Sequence, residues 1–263
     1  MAERPAFLDN SIIIACHPDD ELLWFGSILA DVDRVMLVYE DYWADPALGP
    51  ARAAALANHP RADIETLAMP EIGTALCGDW AGARIDDVGM AFHPAVRLRD
   101  AKQAAKRALG RAAAPAGSVA QRYGAQFDHL LSHLRESLRA DMNVFTHNPW
   151  GEYGHEDHVQ LFRVLDRLRG EIGFRLWMSN YVTERSLPLA RRYFEPSPAP
   201  GLTLPVDAAY CERVADCYRE TGCWTWAQAW SWFPTETFRE APRGPRDAGP
   251  QAHLGALNLF AIG

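Results

Sequence analysis

Short apolar runs recur along the chain, each followed by a stretch of helical character, and this alternation limits the fold more than any other feature. Ile12 to Ala15, Arg34 to Glu40, Asp63 to Ala68, Met142 to Thr146 and Phe174 to Asn180 read as strands. Helical patterning fills the intervals: Glu21 to Ala30, with Leu22, Leu23, Phe25 and Leu29 available to a core, alanine-rich Pro46 to Asn58, and Asp157 to Leu168. Strands that are apolar on both faces need cover on both faces. The pattern therefore predicts an α/β fold, a mostly parallel sheet with helices on each side. With 263 residues the chain is long for one core but within the range of α/β domains, so one domain over 1–263 is expected, with 181–263 as a smaller C-terminal subregion. Proline-rich Pro188 to Pro205 and Ala241 to Pro250 read as surface loops.

Composition narrows the partners. A net charge of −8 disfavours nucleic acid and anionic membranes, which need an excess of Lys and Arg, and leaves a small molecule as the expected partner. No apolar segment approaches the ~18 residues of a membrane span. The first residues lack the basic start and long apolar stretch of a signal peptide. The five cysteines form no CxxC pair and are odd in number, as expected of reduced thiols in a cytoplasmic protein.

The first strand ends in His17-Pro18-Asp19-Asp20-Glu21. Pro18 biases His17 toward an extended conformation, and the acids then fall at a helix start, where the dipole favours negative charge. A helix cap explains one carboxylate, but not an imidazole and three acids together. A second cluster follows the fourth strand: "NPWGEYGHEDHVQLF" carries His155 and His158 on one helical face, beside Glu156 and Asp157. HEDH is one residue short of the HExxH spacing of zincins. Both segments sit beyond the carboxyl ends of strands, where open α/β sheets gather their functional groups. A catalytic zinc takes three protein ligands and leaves a position for water. His17, Asp20 and His158 can supply two nitrogens and a carboxylate, with Asp19 adjacent to accept a proton.

These residues resemble the PIG-L/LmbE-like family of zinc-dependent N-deacetylases. The family's (A/P)HPDDE loop appears as Cys16 to Glu21 and its HxDH element as His155 to His158. The resemblance implies a Rossmann-like fold and a single Zn2+ held by His17, Asp20 and His158, with Asp19 as general base. It assigns His155 as the positively charged partner of the oxyanion or leaving amine, Asp157 as a carboxylate orienting a histidine, and Tyr153 as a group polarising the amide carbonyl. The implied reaction removes the N-acetyl group from an N-acetylglucosamine-type conjugate, and a homo-oligomer is compatible with relatives. Cys16 stands where the family has alanine or proline and reads as a small buried residue. Relatives carry Arg-x-x-Glu after the second strand. Arg52 fits the arginine, as a substrate contact or a solvated side chain, but Ala55 replaces the acid. Glu21 is expected to organise its loop.

Two segments stay open. The run 97–111 carries six basic residues against one acid, a solvated face or a contact to an anionic substrate group. Trp224, Trp226, Trp230 and Trp232 fall at i, i+2, i+6 and i+8, so they form no single helical stripe. They are core or oligomer interface, or else a wall for sugar rings, with Trp224 and Trp226 as the candidate contacts. A zinc amidohydrolase for non-sugar N-acyl amines and a non-catalytic carbohydrate binder are the rival readings. No GxGxxG, GxxxxGK[ST] or GxSxG occurs, which disfavours nucleotide-binding and serine-hydrolase readings.

Overall fold

Ile12, Ile13 and Ile14 are fully buried in β1 (Ser11–Ala15), the strand around which the sheet is built. The computed structural model describes residues 5–41, 45–109, 117–193, 201–228, 230–241 and 257–262. The chain continues through α1 (Asp20–Trp24), β2 (Arg34–Tyr39), α2 (Leu48–Ala57), β3 (Ile64–Met69), α3 (Pro94–Ala108) and α4 (Val119–Ser137). Then come β4 (Asn143–Thr146), α5 (Glu156–Ile172), β5 (Arg175–Met178), β6 (Tyr181–Val182) and α6 (Leu187–Ala190). β7 (Leu202–Pro205), α7 (Ala208–Glu220), β8 (Thr235–Glu240) and β9 (Asn258–Leu259) complete the described elements.

Seven strands form one sheet in the order β3-β2-β1-β4-β5-β8-β7. The first five are parallel, while β8 pairs antiparallel with both β5 and β7. β6 and β9 form a separate parallel pair. Strand side chains alternate between faces, and the core divides accordingly. Ile12 and Ile14 pack with Phe127 and Leu130 of α4 and with Leu161 and Leu165 of α5. Ile13 and Ala15 pack with Leu22 of α1, Ala55 of α2, and Val214 and Tyr218 of α7. Each large side chain so buried contributes about 1.5–3 kcal/mol. The expected α/β sheet with helices on both sides is therefore present.

Chain order reverses between β1 and β4, since β1 is followed outward by β2 and β4 by β5. A crevice opens at such a switch point beyond the strand ends. His17 follows β1 and His147 follows β4, so both motif segments reach it.

Two local expectations differ. The helix expected over Glu21 to Ala30 stops at Trp24. The buried Glu236 carboxylate accepts the backbone N–H groups of Gly26 (3.2 Å) and Ser27 (2.8 Å) and the Ser27 hydroxyl (2.7 Å). Those N–H groups are thereby withdrawn from the helical ladder. A side chain at Gly26 would also collide with Cys211, whose Sγ would lie 2.6 Å from an added Cβ. The second difference lies in Pro188 to Pro205, which holds the end of α6, a 3-10 turn (Arg191–Tyr193) and the edge strand β7; residues 194–200 lie outside the described residues. Pro205 closes an edge strand, where a missing donor costs little. Of Ala241 to Pro250, residues 242–250 likewise lie outside the described residues.

Residues 97–108 of the basic run lie on α3, and the side chains described there are exposed or half-buried, as in a solvated face; the side chain of Arg107 and residues 110 and 111 lie outside the described residues. All five cysteines are free thiols. Among the described residues no helix is long and apolar enough to cross a membrane.

Candidate metal centre

The loop after β1 turns sharply. Asp19 has φ of +105°, a left-handed conformation that a non-glycine residue adopts only at a cost of about 1–3 kcal/mol. Glu21 holds it there: one carboxylate oxygen accepts the Asp19 N–H (3.0 Å) and the other the Tyr218 hydroxyl (2.7 Å). Glu21 therefore organises the loop. The Asp20 side chain folds back to accept the His17 N–H at 2.8 Å through Oδ2, while Trp24 Nε1 donates to Oδ1 at 2.7 Å.

The turn before α5 is built on glycine. Gly151 and Gly154 have φ of +64° and +87°, and a Cβ on Gly151 would lie 2.5 Å from the His155 carbonyl. His155 caps α5, its Nδ1 accepting the Asp157 N–H at 3.2 Å, which brings His158 round toward His17.

His17 Nδ1, Asp20 Oδ2 and His158 Nε2 form a triangle with edges of 3.1, 3.2 and 3.3 Å. Donors bound tetrahedrally at about 2.0–2.1 Å lie about 3.3 Å apart, so the two nitrogens and one oxygen fit a single small cation with almost no movement. All three residues are at least 95% buried. The charges agree: burial opposes a proton on His17, yet Asp157, Asp20 and Glu71 outweigh it and raise its pKa to about 10. Asp20 moves the other way. Burial would raise its pKa, but the imidazoles of His158 and His147 hold it well below the usual carboxylate range. The three donors are placed to bind a cation.

Two further groups among the described residues bring donor atoms together, Cys16/His147/His158 and His17/His155/Asp157, and each shares a histidine with the triangle. The first is the poorer seat. His147 Nε2 already accepts the Cys16 N–H at 2.9 Å, and burial pushes the Cys16 thiol far from ionisation. In the second, His155 Nδ1 is occupied by the Asp157 N–H.

The remaining expected residues surround the triangle. Burial and the charge of Asp20 push the Asp19 carboxyl well up, against the pull of Arg52 and His17, and Thr225 Oγ1 lies 3.4 Å from Asp19 Oδ2. Burial and the neighbouring His158 and His17 press the pKa of His155 well below the ordinary value. Because its Nδ1 accepts, Nε2 is the nitrogen left to carry a proton. Asp157 accepts from Thr74 Oγ1, and its Oδ2 lies 3.8 Å from His17 Nε2. The half-buried Tyr153 ring lies 5.5 Å from that of His155 and 5.3 Å from that of His158. Burial, followed by Asp20 and Asp19, pushes its phenol well up, so it keeps its proton.

Arg52 is buried, and its guanidinium donates to Glu71 Oε1 and the Asp41 carbonyl, both at 3.2 Å. Glu71 Oε1 in turn lies 3.4 Å from His17 Nε2. Arg52 on α2 is thus paired with an acid from the segment after β3. Trp224 is buried, its Nε1 donating to the Ala227 carbonyl and Arg219 lying over its ring. Trp226 packs edge-to-face on Tyr153 and Trp24, at centroid distances of 5.2 and 5.5 Å.

Three participants went unread in the sequence. Glu71 follows a strand but belongs to no motif. His147 directly follows β4, as His17 nearly follows β1, and that symmetry was the available signal. Glu152, inside the glycine turn, accepts from both His147 Nδ1 (3.0 Å) and His158 Nδ1 (2.8 Å). Burial would raise its pKa, but the two imidazoles hold it at about 2.

No protein-family model matches this chain, and no curated protein matches it. Among solved structures, a deacetylase–bog complex from the biosynthesis pathway of teicoplanin is similar over 80% of this chain and 83% of that one, with a TM-score of 0.42 and 13% identity. At that level of likeness the chemistry has to be read from this chain's own residues.

Proposed function

We propose that this protein is a metal-dependent amide hydrolase that releases acetate from an N-acetylglucosamine-type amino-sugar conjugate. The observation carrying the hydrolytic reading is the triangle of His17 Nδ1, Asp20 Oδ2 and His158 Nε2 with a strained, buried carboxyl beside it. The amino-sugar substrate is supported by the resemblance of the HPDDE and HEDH segments to PIG-L/LmbE-like deacetylases.

A divalent ion such as zinc, when bound, supplies Lewis acidity: it brings the pKa of water from ~15.7 toward ~7 and polarises a carbonyl. The chain's own groups do the rest. Asp19, with its pKa raised, is a proton acceptor suited to taking the proton of an attacking water. His155, neutral with its proton on Nε2, and Tyr153, which keeps its phenolic proton, are donors toward oxygen charge developing on the amide. Protonated Asp19 then returns its proton to the departing amine. Arg52, through Glu71, keeps the far side of His17 occupied.

The test is acetate release from a panel of N-acetylglucosamine conjugates and N-acyl amino acids, with and without a chelator. Chelator-sensitive acetate from the sugars supports the proposal. Turnover of N-acyl amino acids alone assigns a non-sugar amidohydrolase, and metal-loaded protein that cleaves neither panel rejects hydrolysis.

A further inference from the structure

We infer that Glu152 is the positioning residue of the metal centre: one carboxylate oxygen, shared by two stacked imidazoles, sets the tautomer that turns the Nε2 lone pair of His158 toward the ion. This inference rests on the metal site of the proposed function, not on its substrate.

Glu152 is fully buried. Its Oε2 receives His147 Nδ1 and His158 Nδ1, and its Oε1 receives the Asn148 N–H (3.0 Å) and the Ser179 hydroxyl (2.6 Å). Among the described residues, each of these contacts to the carboxylate is with a potential donor. The two imidazoles lie nearly parallel, 3.7 Å apart and inclined by 19°, so both present the same nitrogen to the same oxygen. An independent bond fixes one of them. The Cys16 N–H donates to His147 Nε2 at 2.9 Å, with Asp20 Oδ2 farther off at 3.4 Å, and this holds the ring with Nδ1 directed at Glu152. For His158 the same carboxylate demands a proton on Nδ1, and Nε2 is left as a lone pair facing Asp20 and His17. Carboxylates that fix a ligand histidine in this way are worth about 10–100-fold in metal affinity.

The backbone shows what placing it there requires. Glu152 has φ of +45° between Gly151 and Gly154, in a region that an ordinary side chain seldom occupies. Asn148 Oδ1 accepts the Glu152 N–H at 2.9 Å, and the Ser186 hydroxyl donates to its carbonyl at 2.5 Å. A glycine would adopt this turn without strain, yet the chain carries a glutamate and encloses it with donors.

Glu152→Gln keeps the shape and removes the symmetry. An amide has one accepting and one donating end. With its oxygen toward the imidazoles, its NH2 meets the donors of Asn148 and Ser179. Flipped, the NH2 faces His158 Nδ1 and favours the tautomer whose Nε2–H blocks ligation. The expected result is zinc affinity lowered about 10–100-fold by chelator competition, with Glu152→Asp recovering part of the loss. Long-range proton–nitrogen NMR of the wild type should show Nδ1–H on both His147 and His158, which decides the matter even where Glu152→Gln fails to fold. Zinc affinity of Glu152→Gln within about twofold of wild type, or Nε2–H on His158, overturns the inference. Wild-type protein that binds zinc but releases no acetate rejects the deacetylase reading alone; wild type that binds no zinc removes both.

Discussion

Zinc binding should tighten about tenfold for each pH unit between about 6.5 and 8.5. The reason lies in His17, whose pKa stands at about 10 because Asp157, Asp20 and Glu71 outweigh the burial that would lower it. A ligand nitrogen must be free of its proton, so below that pKa the ion has to displace one. At pH 7 the displacement spans about three units, or about 4 kcal/mol of affinity given up to the proton. Geometry adds little to this cost, because the donor edges of 3.1–3.3 Å already match those of a tetrahedral ion. The sign is definite: His17 charged favours the metal-free protein at low pH, and raising the pH removes the competitor. Competition against a chromophoric chelator at three pH values should give about a 100-fold change over two units. Calorimetry in buffers of different ionisation enthalpy should show about one proton released per ion near neutrality. A dissociation constant that moves less than about threefold over that range, or no released proton, would refute the reasoning that clustered carboxylates hold a proton where the metal belongs.

Other outcomes follow from the same geometry. Asp19→Asn should keep zinc affinity within about twofold while kcat falls about 10²–10⁴-fold; weakened zinc binding would make Asp19 a ligand rather than a base. Arg52→Met takes a guanidinium from a buried pair with Glu71 and should cost about 3–5 kcal/mol in urea denaturation of the metal-free protein, whereas a surface-like loss below about 1 kcal/mol would contradict its burial.

The sequence by itself determined the layered architecture and the two segments of the crevice. Runs such as Ile12 to Ala15, apolar on both faces, can be satisfied only inside a sheet covered on both sides, and a proline and glycines at strand ends announce the turns where side chains converge. His17, Asp20 and His158 were legible because local rules place each of them: an extended residue before Pro18, an acid at a helix start, and a histidine in the first turn of α5. What tertiary structure alone decided was everything set by a partner distant in the chain. Glu236, some 210 residues away, ended α1 early by taking its N–H groups. Glu71 came from another segment to pair with Arg52, and burial and neighbouring imidazoles pressed the pKa of His155 down. Periodicity reports how one segment meets water or core. It carries no record of which carboxylate will face which imidazole once strands far apart in the chain lie side by side.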